Sequence, residues 1–455
     1  MSLLDPLFRW AAVDELFNDR GRLQGMLDFE AALANAEAST GVIPARVAPI
    51  IAAKCRAELF DEPALARATA LAGNPAIPLV KQLTELVGDV DAEAKGYVHW
   101  GATSQDAIDT GFILQLRQAL ICIDAELERL SNAIVRIVES YRGTLIVGRT
   151  WMQQALPTTF GFKAAGWLDA IDRQRAHLAA AQKSAIVLQF GGAVGTLAAL
   201  GSRGGDVAAA LGRELSLPVP EISWHAQRDR VAELAALLGV LVGTLGKIAR
   251  DIALETQTEV AEVFEPSAPG RGGSSTMPHK RNPVTAGIVI AAATRVPGLV
   301  STVLSAMLQE HERGLGGWHA EWETIPEIVQ LTGGALHHLT ATMLELEVDP
   351  ARMRANLDVT HGLIFAEPVQ MALAKSAGRQ AAHEIVEAAC NRARTERRNL
   401  RDILAGDPSV MKHLTAKDLD KLFDPQQYLG ECNRMIDAVL KSHASSRSKS
   451  AGHAE

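Results

Sequence analysis

The chain has 455 residues, 47% of them hydrophobic and 22% charged, and its 45 basic against 53 acidic side chains give a net charge of −8. That length supports two or three domains around a large core, and the acidic balance argues against nucleic acid as a partner. Aromatic residues are only 5% of the chain, while Ala and Leu abound, which favours helix.

The opening stretch MSLLDPLFRWAAVDELF lacks a basic segment followed by a long apolar run, so no signal peptide is expected. No uninterrupted apolar run reaches bilayer length, so no membrane contact is expected either. Asp28 to Glu37 is rich in helix formers and is closed by Gly41 and Pro44. Ala64 to Leu71 is a second helical stretch, closed by Gly73-Asn74-Pro75. Neither carries chemistry. The run His99-Trp100-Gly101-Ala102-Thr103-Ser104-Gln105-Asp106 does. Thr103 or Ser104 can cap the following helix, and the same hydroxyls at a helix N-terminus can bind a carboxylate. A lone His is usually structural, so His99 is a secondary candidate.

Apolar residues at 120, 123, 127, 130, 134, 137 and 141 predict a long helix packed in a bundle. Leu234, Leu238, Leu241, Leu245, Ile248 and Ile252 predict another, and a third is expected from Val284 to Leu308 with a kink at Pro297. Between the last two lies Pro266 to Pro283, read as PSAPGRGGSSTMPHKRNP. Its glycines allow close backbone approach. Ser274, Ser275 and Thr276 supply hydroxyls, Lys280 and Arg281 cations, and Asn282 an amide, a content suited to an anion. Arg281 is expected to face solvent. From Asp349-Pro350 a further helical region begins, in which Thr360 is expected to cap a helix holding His361 and Glu367. The last stretch, SHASSRSKSAGHAE, reads as disordered. Cys55, Cys122, Cys390 and Cys432 are far apart and read as buried thiols of a reducing, cytoplasmic compartment. His311 and His319 lie eight residues apart with glycines between them, and His337-His338 would point to different helix faces, so no metal site is expected.

The run Gly273-Ser274-Ser275-Thr276-Met277-Pro278-His279-Lys280-Arg281-Asn282 resembles the signature loop of the fumarase/aspartase superfamily. Residues 99–106 and 147–157 resemble its other two motif regions, so the likeness covers most of the chain. It implies an all-α fold with three helical domains. These are an N-terminal domain at 1–105, a central long-helix bundle at 106–345 and a C-terminal domain at 346–440, with a disordered tail at 441–455. It also implies a homotetramer that shares the bundle and builds each active site from several subunits. Ser274 would move a proton at a carbon next to a carboxylate, and Lys280 would stabilise the charge. Thr103, Ser104, Arg149, Thr150, Trp151, Gln153, Ser275, Met277 and Asn282 would bind a small anionic di- or tricarboxylate. His99, His311 and Arg313 are further candidates. No cofactor is implied.

Two departures narrow the expectation. Trp151 stands where the superfamily lyases usually carry His, and Trp318 and Trp322 stand where the nucleotide-binding members carry a phosphate-binding Ser and Arg. A hydroxide or amine leaving group needs a general acid, whereas a carboxylate, with a pKa of roughly 4, does not. The pattern therefore resembles the cycloisomerases of the superfamily, in which a substrate carboxylate adds across a conjugated double bond. The alternatives are a lyase of the adenylosuccinate or argininosuccinate type, and an inactive, crystallin-like structural protein. Intact Ser274, Lys280 and Asn282 argue against the last.

Overall fold

The structure, a computed structural model, describes residues 3–267, 270, 272–273, 276–277 and 279–451, without the side chains of 446–451. Ser274 and Ser275 lie outside the described residues. The fold is 69% helical. The helices that matter below are α1 (Asp19–Ser39), α2 (Glu62–Ala72), α3 (Ala76–Gly88), α4 (Ser104–Ser140), α5 (Phe160–Ala185), α6 (Gly204–Leu215), α7 (Asp229–Glu255), α8 (Val284–Ala306), α9 (Gly317–Leu344), α10 (Pro350–Asn356), α11 (Ala366–Ala377), α12 (Arg379–Glu396) and α13 (Cys432–Ala451). Two short antiparallel pairs accompany them: β1 (Leu145–Thr150) with β2 (Gln153–Thr159), and β3 (Val263–Phe264) with β4 (Glu347–Val348).

Packing divides the chain into two compact units. One comprises Met1–Leu127, Gln174–Gly246 and Ile288–His338, the other Glu128–Arg173, Lys247–Gly287 and Leu339–Glu455. Three consecutive domains were expected; the compact units are interleaved in sequence, because α4, α5, α7, α8 and α9 each contribute residues to both.

In the first unit, Asn18 caps α1 by accepting the Gly21 amide, and Asp61 caps α2 by accepting that of Ala64. Gly73 closes α2 at φ 80°, where a residue without Cβ is unstrained. Leu27, Ile51, Leu79, Leu83 and Val87 are essentially inaccessible and form the core of this part. Helix α1 crosses α4 at two glycines. A Cβ on Gly111 would stand 2.7 Å from the Gly25 carbonyl carbon and the Met26 nitrogen. This contact brings the middle of α1 against the start of α4.

In the second unit, Arg149, Thr150 and their partners on β2 form a hairpin closed by Trp151 and Met152 alone, with a register irregularity between Val147 and Arg149. Asp349 caps α10 by accepting the Arg352 amide, as its Asp-Pro entry predicts. Helices α11 and α12 bury Val369, Leu373, Val386 and Ala389 with Leu400 and Leu404.

Several expectations are corrected. Where a disordered tail was expected from 441, residues 441–451 are helical: α13 continues to Ala451, and His443 is buried against Asp172, its Nδ1 2.9 Å from Oδ2; 452–455 lie outside the described residues. Burying one face of a polar helix was invisible in its composition. Thr360 caps nothing; its hydroxyl is buried without a partner, and His361 sits in the preceding turn at φ 52°. Of the four cysteines only Cys55 is buried, and the other three are half-buried. Two helices, Asp229–Glu255 and Val284–Ala306, are long and apolar enough to cross a bilayer by length and composition. The first is a mostly buried core helix, with 56% of its apolar window covered, and the second is only 22% covered.

The glycine crossing yields a paired prediction. Gly111→Ala forces backbone apart and should destabilise by about 1–3 kcal/mol. Gly166→Ala, in helix α5 with no atom near its would-be Cβ, should be neutral or stabilising by up to about 1 kcal/mol. Thermal unfolding followed by circular dichroism checks both.

Candidate active site

The expected site residues fall into two sets, one in each unit. In the first unit, His99 (φ 58°) and Gly101 (φ 70°) turn the chain into α4. Here the expected Thr or Ser cap is replaced by Asp106. Its Oδ2 accepts the Thr103 amide at 3.0 Å and the Gly192 amide at 2.9 Å. Its Oδ1 accepts the Gly191 amide at 3.0 Å and meets His225 Nε2 at 2.7 Å. One buried carboxylate thus binds the helix start to a glycine-rich loop. The hydroxyls of Thr103 and Ser104 are left without a partner among the described residues, free for a ligand at the helix N-terminus.

Arg313 donates from Nε to Gln105 Oε1 at 3.0 Å and from a terminal nitrogen to the Ala193 carbonyl at 3.1 Å. It therefore ties the segment after α8 to the same motif. His311 is exposed, at φ 49°. Behind them, Arg228 is buried between Asp109 (2.8 Å) and Glu321 (2.6 Å), and Trp318 Nε1 donates to Asp109 at 3.0 Å. Burial pushes Glu321 up, against the opposing effect of Arg228. Trp318 and Trp322 pack edge to face, 4.9 Å between ring centroids. Trp318 is a buried core residue and hydrogen-bond donor. Sequence reading missed Asp109, His225, Arg228 and Glu321, which come together through tertiary packing, and gave Asp106 no role although it lies inside the 99–106 run.

In the second unit, Arg149 forks onto Glu262, which is 0% exposed, with both hydrogen bonds at 2.8 Å. Asn356 donates to the same carboxylate at 2.8 Å. Arg149 is thus an anchor for the hairpin, with its two terminal nitrogens engaged. Beyond it, Trp151 (φ 51°) and Met152 (φ 64°) form the two-residue turn, both left-handed, a geometry that normally selects Asn-Gly. Trp151 is 97% exposed, and Thr150 and Gln153 beside it are exposed. Trp151 is thus a large aromatic residue held in a strained turn and left uncovered by its own unit.

The signature loop is fastened at its base. Glu265 accepts the Thr285 amide at 3.0 Å and the Ala286 amide at 2.8 Å, an anion at the start of α8. Glu347 receives the Ser267 amide at 3.1 Å and the fork of Arg281 at 2.8 and 3.0 Å. Arg281 also lies over the Phe264 ring, 5.1 Å from its centroid. The expectation that it merely faces solvent is corrected: it clasps both ends of the loop through one carboxylate, which it holds below the usual carboxylate range. Across the loop, the Asn282 amide donates to the Gly272 carbonyl at 2.9 Å. Lys280 and Met277 are exposed, and Asn282 is half-buried at a cleft of about 340 Å³ open to solvent. The hairpin and the loop are both moored to the 262–265 segment, through Glu262 and Glu265 respectively.

An all-helical scaffold with a Gly-Ser-Ser loop carrying Lys and Asn, and a second helix N-terminus with free hydroxyls, defines a lyase-type enzyme acting next to a carboxylate. A family model described as lyase matches residues 11–298, and one described as adenylosuccinate lyase C-terminus matches 362–439. The chain belongs to the fumarase/aspartase superfamily. It is 55% identical to a 3-carboxy-cis,cis-muconate cycloisomerase of Pseudomonas aeruginosa over 97% of this chain and 96% of that one. It is 51% identical to a protein of the same name from Bradyrhizobium diazoefficiens, over 97% and 98%. The crystal structure of 3-carboxy-cis,cis-muconate lactonizing enzyme from Pseudomonas putida superposes with a TM-score of 0.93 at 51% identity, covering 97% of this chain and 99% of that one.

Arg149→Ala should cost about 3–5 kcal/mol, because it leaves Glu262 buried without its countercharge. Thermal unfolding of the substrate-free protein checks this. A residue that only touched substrate would raise KM and leave the unfolding temperature unchanged.

Proposed function

We propose that this protein is a cycloisomerase that converts 3-carboxy-cis,cis-muconate to 4-carboxymuconolactone, a step of aromatic catabolism, in the cytoplasm. The observation that carries the reading is Trp151 at the tip of the hairpin, in the Arg149-Thr150-Trp151 run, where superfamily lyases usually present a His. The attacking group in a lactonisation is a carboxylate, already ionised at neutral pH, so no acid or base is needed for that group.

One substrate carboxylate oxygen attacks an alkene carbon, and a C–O bond forms as the five-membered ring closes. The electron pair of the double bond moves toward a second carboxylate, which becomes an enediolate. Lys280, Asn282 and the loop amides stabilise that charge. Ser274 then gives its hydroxyl proton to carbon, and the alkoxide left behind regains a proton from solvent. Nothing is oxidised and no group is carried between molecules, so the scheme calls for no redox or group-carrying cofactor. Thr103 and Ser104 hold a further carboxylate, and the uncharged surface of Trp151 lies against the diene.

The decisive measurement is loss of the diene's ultraviolet absorbance on adding 3-carboxy-cis,cis-muconate, with argininosuccinate and adenylosuccinate as the rival substrates. Ser274→Ala should lower kcat by about a hundredfold or more with little change in binding. Lys280→Met should weaken both, since a fixed charge acts on the anionic ground state as well as the transition state. Turnover of a rival substrate but not of the muconate would overturn the assignment.

The assembly we propose is a homotetramer with sites shared between subunits. The support is helix α8, apolar along its length yet only 22% covered by its own chain. Light scattering should give about four times the 48.6 kDa chain mass; an active monomer would contradict it.

A further inference from the structure

Glu30 lies on α1, outside every motif, and is 1% exposed. Its Oε1 is 2.6 Å from His99 Nδ1, and its Oε2 is buried without any partner. The carboxylate is therefore committed to one imidazole and to nothing else among the described residues. A buried anion in that state is costly unless the group it faces carries a proton and a positive charge. His99 itself is held in the left-handed region at φ 58°, five residues before the start of α4, and its side chain is 16% exposed. Nδ1 is engaged by Glu30, so Nε2 is the ring nitrogen left for a ligand. Gly25, earlier on the same helix as Glu30, packs against Gly111 of α4.

Among the other titratable groups around this pair, Glu30 is the anion that acts most strongly on His99, and Asp106 adds to it. Asp106 on α4 is already engaged by three backbone amides and His225. Glu37, two turns further along α1, is buried with neither oxygen partnered; burial and the charge of Glu30 push it up to about 9, so it is neutral. Cys55 is pushed up by burial and by Glu30 and stays a thiol. For His99, burial acts against the charged form, and the charge and hydrogen bond of Glu30, with a smaller contribution from the charge of Asp106, outweigh it, so that its pKa lies above the ordinary imidazole value.

We propose that Glu30 is a positioning residue for substrate binding: it holds His99 through Nδ1 as an imidazolium, whose Nε2–H donates to a substrate carboxylate beside the free hydroxyls of Thr103 and Ser104. The inference rests on the reading of residues 99–104 as a carboxylate subsite. Its consequence is that affinity for a polycarboxylate stays constant across neutral pH, although an unassisted imidazole would lose its proton there.

The test is Glu30→Gln in the full-length protein. The amide can still accept from Nδ1–H but removes the charge that keeps the ring protonated, so the His99 pKa falls and the cation is lost as pH rises. The substrate carboxylates remain ionised from pH 6 to pH 8. KM of the parent should change less than twofold over that interval, and KM of Glu30→Gln should rise about tenfold, with kcat at pH 6 within about threefold of the parent. Calorimetric binding of tricarballylate, which is not turned over, should show the same pH dependence. Glu30→Asp, which keeps the charge but shortens the reach, should give an intermediate rise of two- to threefold, and it carries the test if Glu30→Gln does not fold. A merely structural role would shift KM equally at both pH values, and that result, or an unchanged KM in either variant, overturns the proposal. His99→Gln separates the two levels. If it leaves tricarballylate affinity intact, the carboxylate subsite itself is wrong; if it weakens binding while Glu30→Gln shows no pH dependence, only the role of Glu30 fails.

Discussion

Irregular backbone must have its amide groups met once it leaves water, and in this protein carboxylates fasten each expected site segment, Asp106, Glu262 and Glu265 from buried positions and Glu347 from an exposed one. Asp106 gathers the amides of Thr103, Gly191 and Gly192 and thereby holds the entry to α4 against the glycine-rich loop. Glu265 takes the first amides of α8. Glu347 takes the Ser267 amide and the Arg281 fork at the two ends of the signature loop. Glu262 takes Arg149 and Asn356 and fixes the hairpin. Each is a side chain whose removal would free a loop rather than a single atom.

These anchors let the exposed parts be strained. The turn Trp151-Met152 places two non-glycine residues in the left-handed region with nothing of its own unit over Trp151. Such a turn is kept only where surrounding contacts over-determine it, and the fork between Arg149 and Glu262 one strand-pair away is such a contact. Rigid base and uncovered tip are what a residue needs to reach a ligand or a neighbouring subunit without moving.

The two sets of expected site residues have different physical characters. In the first unit the set is built on a helix N-terminus, with neutral hydroxyls and an imidazole that meets the buried Glu30 carboxylate. In the second it is built on loops, with Lys280 as a fixed cation at the surface. In the proposed reaction it is at Lys280 that negative charge grows.

The sequence by itself determined the helical class, through apolar repeats such as Leu120 to Tyr141, and the family, through the runs Gly273 to Asn282 and His99 to Asp106. Those are local signals: periodicity and motif spacing survive without knowing what packs where. It also pointed to a carboxylate-directed reaction, because Trp151 is a single readable position. Tertiary structure alone decided which residues serve as anchors. Arg149 read as a ligand and proved to be tied to Glu262, 113 residues away in sequence. Arg281 read as solvent-facing and proved to close the loop on Glu347, 66 residues away. Glu30 and His99, 69 residues apart, meet at 2.6 Å. The tail from 441 became helix because His443 found Asp172. Such pairings depend on which faces are buried together, and a buried charge reads the same in sequence as an exposed one.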